Sequence, residues 1–502
     1  DTKGEEAVAI FSGISTEKRN TVSEPEGGDL FKGVLWIAVG VLAVSVLTVD
    51  ISGMIKLVCA GIGVVLMGKG LLQLAKYRKD AQAFKDFEPA WDKKNVIYDR
   101  FAEELNDWYK KENVPEDGDG DIAYFLRLQK SRLAHKGLRM EKRVVPSKGT
   151  GYGTGKKSRK SPWYTTDMLY EQVSGKLSFL NGSETVFEQK SEMTMYEIVV
   201  HTPDAAKADH IRITCPQCGA VNFARKLEEG CPYCGTKFRI KDLFPRVVNF
   251  FFIKSKSISS NKQIFTQSMA LSMAVVFVFT FISNMIHPSG ILPVMLLQSY
   301  LTALLVGGFL GYIIADVRLI AGVLDRDGMK HISMWKWMSS KRKITHTMQK
   351  YDRNFSFDKF EGQLVALIRM AVMAENPENL ACYHANEREA EFSNILEMTY
   401  TNGICLNKIW LEGDLMHISL RTWWVNYHGK DGKIRKTGDC IDATFVKNIK
   451  NQETPGFSIT SVFCDSCGGS FDAVRQKNCP YCGKEYHMEN ESWMMEEMKL
   501  VR

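Results

Sequence analysis

The chain has 502 residues, a length that excludes a single small domain and leaves room for three or four. Its 45% hydrophobic content is ordinary overall but is concentrated in a few runs, so the rest of the chain must be polar. The net charge of +7 would suggest nucleic acid for a soluble protein, but the basic residues cluster beside the apolar runs, which favours anionic lipid as a partner.

The N-terminal segment, 1–30, is polar and acidic, and it shows no cleavable targeting signal. A first pair of apolar stretches occupies 31–75 and is divided by a turn at Asp50. Lys56 and Lys69 flank the core of the second stretch, so their amines must extend to the headgroups if that stretch spans a bilayer. We expect this pair to form a transmembrane hairpin.

A second apolar pair, 264–315, consists of two charge-free runs separated by a Pro-Ser-Gly turn. Each run exceeds the roughly 20 residues that a helix needs to cross the hydrocarbon core. The alternative is a buried helical pair in a large soluble core. Lysines and arginines flank the pair, so the positive-inside rule places both flanks in the cytoplasm and predicts four spans with both termini inside.

The soluble segment 81–214 begins with helical patterns. Phe101, Leu105 and Trp108 form one apolar seam, and 122–143 is predicted as a second helix. Alternating residues then predict an antiparallel meander that ends at the first cysteine motif.

Eight of the twelve cysteines form two quartets in which two CxxC pairs are separated by a dozen or so residues. This spacing predicts two structural zinc ions, one in ribbon 1 (215–243) and one in ribbon 2 (464–490). Rubredoxin-like iron and a redox CxxC are the alternatives. Four thiolates leave no open metal position and require a reducing compartment, which favours a scaffold in the cytoplasm. The predicted ligands are Cys215, Cys218, Cys231, Cys234, Cys464, Cys467, Cys479 and Cys482.

Two aromatic or basic segments lie next to the apolar runs. One holds Phe250, Phe251 and Phe252, and the other, 328–353, combines tryptophans with lysines and arginines. We expect both at the headgroup level of a membrane, with a packed protein face as the alternative.

The second soluble segment, 354–463, opens with an amphipathic helix from Phe357. A further helix is predicted over 386–400, then a turn at Asn402, and then strands that continue to ribbon 2. The tail, 491–502, could dock on this domain or on a partner. Helices followed by a meander indicate an α+β fold in each half, and the order hairpin, soluble segment, ribbon occurs twice, which suggests a duplication.

The sequence from the helix at Phe357 through "NKIWLEGDLMHISLRTWWVNYHGKDGKIRKTGDCIDATFVKN" to "CDSCGG" and "CPYCGK" resembles the Tim-forty-four-like family over about 355–486. The resemblance implies a cone-shaped fold of the nuclear-transport-factor-two type, a bacterial-type membrane protein with zinc ribbons, and no active-site residues. The eukaryotic namesake of the family tethers an import motor at a membrane and contacts acidic lipid. The resemblance therefore implies adaptor work close to a membrane.

Two other motifs do not fit the sites that they suggest. The Gly-rich stretch 149–158 lacks the Walker spacing. The acidic run 117–121 resembles the start of a calcium loop, but Ile122 stands where that loop requires glycine and Leu128 where it requires glutamate. The histidines show no catalytic spacing, so we expect no enzyme and no catalytic or cofactor-binding residues.

Together these patterns predict an integral membrane scaffold that recruits a protein partner at the cytoplasmic face of a bacterial cell membrane, in protein transport. The alternatives are a ribbon-based nucleic-acid binder, which the scarcity of stacking residues disfavours, and a small-molecule-binding or enzymatic cone domain. A homo-oligomer is compatible with the sequence.

Overall fold

The computed structural model describes residues 9–13, 22–23, 27–45, 53–85, 96–146, 155–160, 164–202, 211–242, 244–254, 258–287, 290–324, 334–352, 354–385, 388–430, 432–450, 457–461, 463–464, 466–472, 476–485 and 492–501. The predicted turns at Asp50 and at Pro288 lie outside these residues, as does most of the Gly-rich stretch.

The helices are α1 (Gly27–Ser45), α2 (Gly53–Lys85), α3 (Val96–Lys111), α4 (Gly120–His135), α5 (Ile258–Ile286), α6 (Leu292–Thr302), α7 (Gly308–Leu324), α8 (Met334–Met348) and α9 (Phe357–Met373). The strands are β1 (Ala9–Gly13), β2 (Val22–Ser23), β3 (Arg139–Pro146), β4 (Gly155–Lys160), β5 (Thr165–Asn181), β6 (Glu184–His201), β7 (Arg212–Thr214), β8 (Val221–Phe223), β9 (Phe238–Lys241), β10 (Arg246–Lys254), β11 (Ile395–Glu412), β12 (Leu415–Lys430), β13 (Lys433–Asn448), β14 (Phe457–Ser461) and β15 (Met494–Val501). A π turn, Ala303–Gly307, joins α6 to α7.

The chain forms two compact units. The helical unit comprises Val22–Glu88 and Lys256–Asp325, and the sheet unit comprises Asp1–Thr21, Pro89–Ser255 and Arg326–Arg502.

Three helices of the helical unit are long and apolar enough to cross a membrane, namely Leu57–Gln82, Gln263–Ile286 and Leu292–Arg318. The apolar part described in α1 is shorter, Lys32–Val41. Many leucine, valine and isoleucine side chains on these helices are exposed, as expected of surfaces that lie in lipid rather than in water.

Small residues allow the helices of this unit to approach closely. α1 and α2 pack antiparallel, and a Cβ added at Gly40 would lie 2.6 Å from the carbonyl oxygen of Gly63. In the other pair, a Cβ at Gly307 or Gly311 would lie 2.7 Å from a backbone Cα of α5. Close backbone contact of this kind is a common packing mode of membrane helices.

The first sheet of the sheet unit is antiparallel. β5 pairs with β6 through a turn in which Gly182 has φ 59°, and β6 pairs with β10, which lies beyond ribbon 1 in sequence. β3 and β4 share the other edge of β5.

The predicted helix 122–143 was wrong beyond His135, because Gly137, at φ 65°, ends α4 and the chain then continues as β3.

The second sheet has the order β11-β12-β13-β15, and β15 lies beyond ribbon 2 in sequence. Gly432, at φ 68°, lies between β12 and β13, which pair from Lys430 with Lys433 onward. The predicted helix 386–400 was wrong, because in its described part, 388–400, a short 3-10 turn, Ala390–Asn394, leads directly into β11. Asn402 does not form a turn between elements but a bulge inside β11, where its φ is 60°.

The two sheets thus share one order, in which a series of antiparallel strands is followed by a four-cysteine segment and then by one more strand of the same sheet. The ribbons are insertions before the closing strand, not appendages after a finished sheet. The duplication of the two halves stays a prediction.

One continuous hydrophobic core joins the two soluble segments. Helix α9 is buried on almost every side, and its Arg369 donates through Nη2 to the carbonyl oxygen of Phe250 at 2.9 Å. Phe250, Phe251 and Phe252 are 3%, 1% and 5% exposed in β10, so their predicted position at the headgroups was wrong. They are core residues of the first sheet.

One other segment differs from expectation, and for the tail one of the two open alternatives is found. β14, predicted as part of the second sheet, pairs instead with β1 and β9. The C-terminal tail docks on the protein itself, since β15 pairs with β13 and the Trp493 ring lies 5.1 Å from the Phe360 ring.

Candidate metal centres

The four sulfur atoms of ribbon 1 lie within 4.8 Å of one another. Cys215 Sγ is 3.6 Å from Cys234 Sγ, and Cys218 Sγ is 3.7 Å from Cys231 Sγ. A tetrahedral ion with metal–sulfur bonds of about 2.3 Å would hold its sulfurs about 3.8 Å apart. The four sulfurs are therefore placed to hold one metal ion.

Ribbon 2 has the same geometry. Its sulfurs also lie within 4.8 Å, with 3.5 Å between Cys464 and Cys482 and 3.6 Å between Cys467 and Cys479. Each predicted quartet is thus brought together, and the structure is compatible with two metal ions.

Each CxxC pair forms the same tight backbone turn. In the first, Gly219 N donates to Cys215 O at 2.9 Å, and Cys215 N donates to Ala220 O at 2.9 Å. The other three pairs repeat both hydrogen bonds. The residue after the second cysteine needs a positive φ, 69° to 78° at the four sites, and glycine adopts it without strain. This requirement explains why a glycine follows each of the four CxxC pairs.

One polar neighbour favours the thiolate form of Cys234 in ribbon 1. Thr236 Oγ1 lies 3.1 Å from Cys234 Sγ, and hydrogen bonds from the Thr236 side chain and backbone lower the pKa of Cys234 to about 6. Asn222 Nδ2 lies 4.0 Å from Cys231 Sγ. Nothing in the spacing of the cysteines identified these two residues, although Thr236 stands two positions after a ligand.

The two sites alternate in exposure, since the first cysteine of each pair is buried and the second is exposed. All four corners are cysteine sulfurs, so a bound ion would have no open position for a substrate. Such a site can organise the chain but cannot activate a water molecule.

A small hydrophobic core supports ribbon 1. Ile213, Leu227, Phe238 and Phe244 pack around the buried cysteines. Ribbon 2 has less support, because Phe471 is the apolar residue that clusters with Cys464 and Cys479 among the described residues. With so small a core, a bound metal ion would be the main source of order in ribbon 2.

Comparison with known proteins identified no relative: no family model, no curated protein and no solved structure matches this chain. The resemblance to the Tim-forty-four-like family stays a prediction.

The acidic motif at 117–121 has a structural role. The Asp117 carboxylate accepts hydrogen bonds from Arg100 and lies 3.8 Å from Arg225 of ribbon 1. Asp119 N donates to Val247 O at 2.9 Å, which fixes the loop to β10. The motif therefore connects ribbon 1 to the first sheet.

Two cavities among the described residues of the sheet unit stand beside titratable side chains. The one beside Arg369, Lys142 and Glu397 measures about 10 Å³, room for a single water molecule. The other, about 320 Å³, is an open groove beside His135 and Glu375.

Proposed function

We propose that this protein is a membrane-anchored scaffold that recruits a protein partner through its two zinc ribbons at the cytoplasmic membrane face, in protein transport. Three apolar helices support the anchoring. Two closed four-cysteine sites support a structural role for the metal, and all-sulfur ligation in a reducing compartment favours zinc.

The observation that carries this proposal is the distribution of exposed apolar side chains. In the described part of the sheet unit, six large apolar side chains are exposed, and four of them lie on the ribbons. They are Val221 (58%), Phe223 (40%), Tyr233 (74%) and Tyr481 (68%). Tyr233 and Tyr481 occupy the same position of the CPYC motif in the two ribbons. Exposed aromatic residues on a rigid base are the usual anchors of protein interfaces.

Anionic lipid is the proposed second partner, and helix α8 is its site. Four cations on or just after this helix are exposed, and none is paired with an acid among the described residues. They are Lys336, Arg342, Lys343 and Lys350. Each such charge contributes about 1 kcal/mol near an anionic leaflet.

Site-specific photo-crosslinking in native membranes tests the scaffold proposal. A benzophenone amino acid is placed at Tyr233 or Tyr481 and, as a control, at Val186 or Leu411, which are exposed apolar positions off the ribbons. We expect both ribbon positions to crosslink to one and the same protein and the control positions not to do so. Equal labelling at all four positions would contradict a ribbon-centred interface.

A single-stranded nucleic acid is the second candidate, because Arg212 stacks at 5.2 Å over the exposed Phe223 ring and Tyr233 stands nearby in sequence. Such pairs offer stacking surface and positive charge.

Fluorescence anisotropy of a labelled oligonucleotide distinguishes nucleic-acid binding from the scaffold proposal. Nucleic-acid binding requires an affinity that falls steeply between about 50 and 200 mM salt and that is lost in Phe223→Ala. The scaffold proposal predicts neither.

A further inference from the structure

The two ribbons are joined to each other. β9 leaves ribbon 1 directly after its last cysteine pair, and β14 enters ribbon 2 directly before its first. The two strands pair antiparallel from Phe238 with Ser461 to Lys241 with Ser458. Beyond the strands, Lys237 N donates a hydrogen bond to Ser470 Oγ at 2.8 Å.

This bridge is close to a metal ligand at each end. On the side of ribbon 1, Lys237 follows Thr236, whose side chain contacts Cys234 Sγ and whose carbonyl accepts from Cys231 N at 2.8 Å. Any movement of that cysteine pair therefore moves the donor of the bridge.

On the side of ribbon 2, Ser470 follows Gly469, whose carbonyl oxygen accepts from Cys464 N at 2.9 Å. The acceptor of the bridge is thus fixed by the first ligand of the second site. Only covalent bonds and short hydrogen bonds lie between the two metal centres along this path.

A metal ion orders the ribbon that holds it, because so small a core cannot do so alone. Ordering ribbon 1 positions β9 and Lys237, and these are the groups that β14 and Ser470 must meet when ribbon 2 orders. The free energy needed to order ribbon 2 when the second ion binds is then smaller. We propose that the two ribbons bind their metal ions cooperatively, each raising the affinity of the other. Linkage makes this effect reciprocal.

This inference rests on the metal binding proposed above. The test measures Zn²⁺ affinity in the full chain in detergent, by competition with a chromophoric chelator. Cys479→Ser removes the site in ribbon 2, and Cys231→Ser removes the equivalent site in ribbon 1. Each variant gives the association constant of the site that it retains. We expect the overall association constant for two ions in the unaltered protein to exceed the product of these two constants by about fivefold or more.

Ser470→Ala tests the bridge itself and keeps all eight cysteines, so it does not depend on the folding of the single-site variants. Loss of one neutral hydrogen bond should lower the cooperativity by about two- to tenfold. Ser466→Ala is the matched control, since Ser466 is an exposed serine of the same ribbon and the Lys237 N–H donates to Ser470 Oγ instead. It should leave the cooperativity unchanged.

The outcomes separate the two proposals. If two ions bind but their overall association constant equals the product of the two single-site constants, the cooperativity alone is overturned. Cooperativity that survives Ser470→Ala would overturn the role of the bridge. A chain that binds no ion in any form would overturn the metal binding and this inference together.

Discussion

At the scale of single residues, a buried ion pair holds the two soluble segments together. Lys142 of β3 donates to Glu397 of β11 at 2.7 Å, and both side chains are less than a tenth exposed. Gln129 donates to the other carboxylate oxygen. The nearby Arg369 is also buried, and burial lowers its pKa to about 10. These charges are stable in the core only because each has a partner.

We therefore expect Lys142→Met to be strongly destabilising, because it leaves the Glu397 carboxylate buried without its cation. Removing one partner of a buried pair costs about 3 to 5 kcal/mol. The control is Lys176→Met, which breaks an exposed 2.9 Å pair with Glu188 and should cost much less, because solvent screens that pair. Unfolding followed by tryptophan fluorescence in detergent measures both. Equal costs would show that the buried pair contributes no more than a surface one.

At the scale of elements, helix α8 has one packed and one free face. Ile344 and Met348 are buried, and Ser340 Oγ accepts from Leu406 N at 2.8 Å. Lys341 is not available to lipid, since it donates to Asp358 at 2.6 Å. Burial alone would raise the pKa of Asp358, but Lys341 and Arg159 outweigh it and lower that pKa.

The free face gives a lipid prediction with an internal control. In bilayer nanodiscs, photoactivatable phosphatidylserine should label α8, and replacing Lys336, Arg342 and Lys343 by glutamine should reduce the labelling about tenfold or more. Lys341→Gln should leave it unchanged, because that amine is already paired. Equal labelling by photoactivatable phosphatidylcholine would show that α8 contacts lipid without charge selectivity.

The helix pair of α5 and α7 gives a second prediction at this scale. Gly311→Ala would put a methyl group 2.7 Å from the Met269 Cα, and the backbone cannot yield cheaply. We expect a loss of about 1 to 3 kcal/mol. Gly308→Ala is the control, because its added carbon would lie 3.7 Å from the flexible end of the same methionine. Thermal unfolding in detergent should separate the two variants, and similar midpoints would contradict close packing at Gly311.

At the scale of the whole molecule, each sheet depends on its ribbon. β10 and β15 return to their sheets only after the chain has passed through ribbon 1 and ribbon 2. A disordered ribbon would therefore release the closing strand from its position.

Metal analysis tests this dependence. We expect two zinc ions per chain, one in Cys479→Ser, and still two in Cys440→Ser, since Cys440 belongs to neither quartet. Removing the metal should also lower the unfolding temperature, because structural zinc contributes on the order of 10 kcal/mol. A metal-free chain with an unchanged transition would contradict a structural role.

The sequence by itself determined what depends on neighbours along the chain. The CxxCG spacing placed eight cysteines in two quartets, because a local turn sets each pair. The apolar runs marked helices for the same reason. The boundaries at His135 and at 386–400 were missed because an apolar period over so few residues fits a strand as well as a helix.

Only the tertiary structure decided how distant segments combine. The phenylalanines of β10 carry an apolar signal that suits a membrane surface as well as a core, and the pairing of β10 with β6 made them core. The partner of Lys341, the docking of the tail and the joining of the two ribbons likewise depend on contacts between segments far apart in sequence. Such contacts depend on which strand edges and apolar faces remain available once the whole chain has packed, and local periodicity does not encode them.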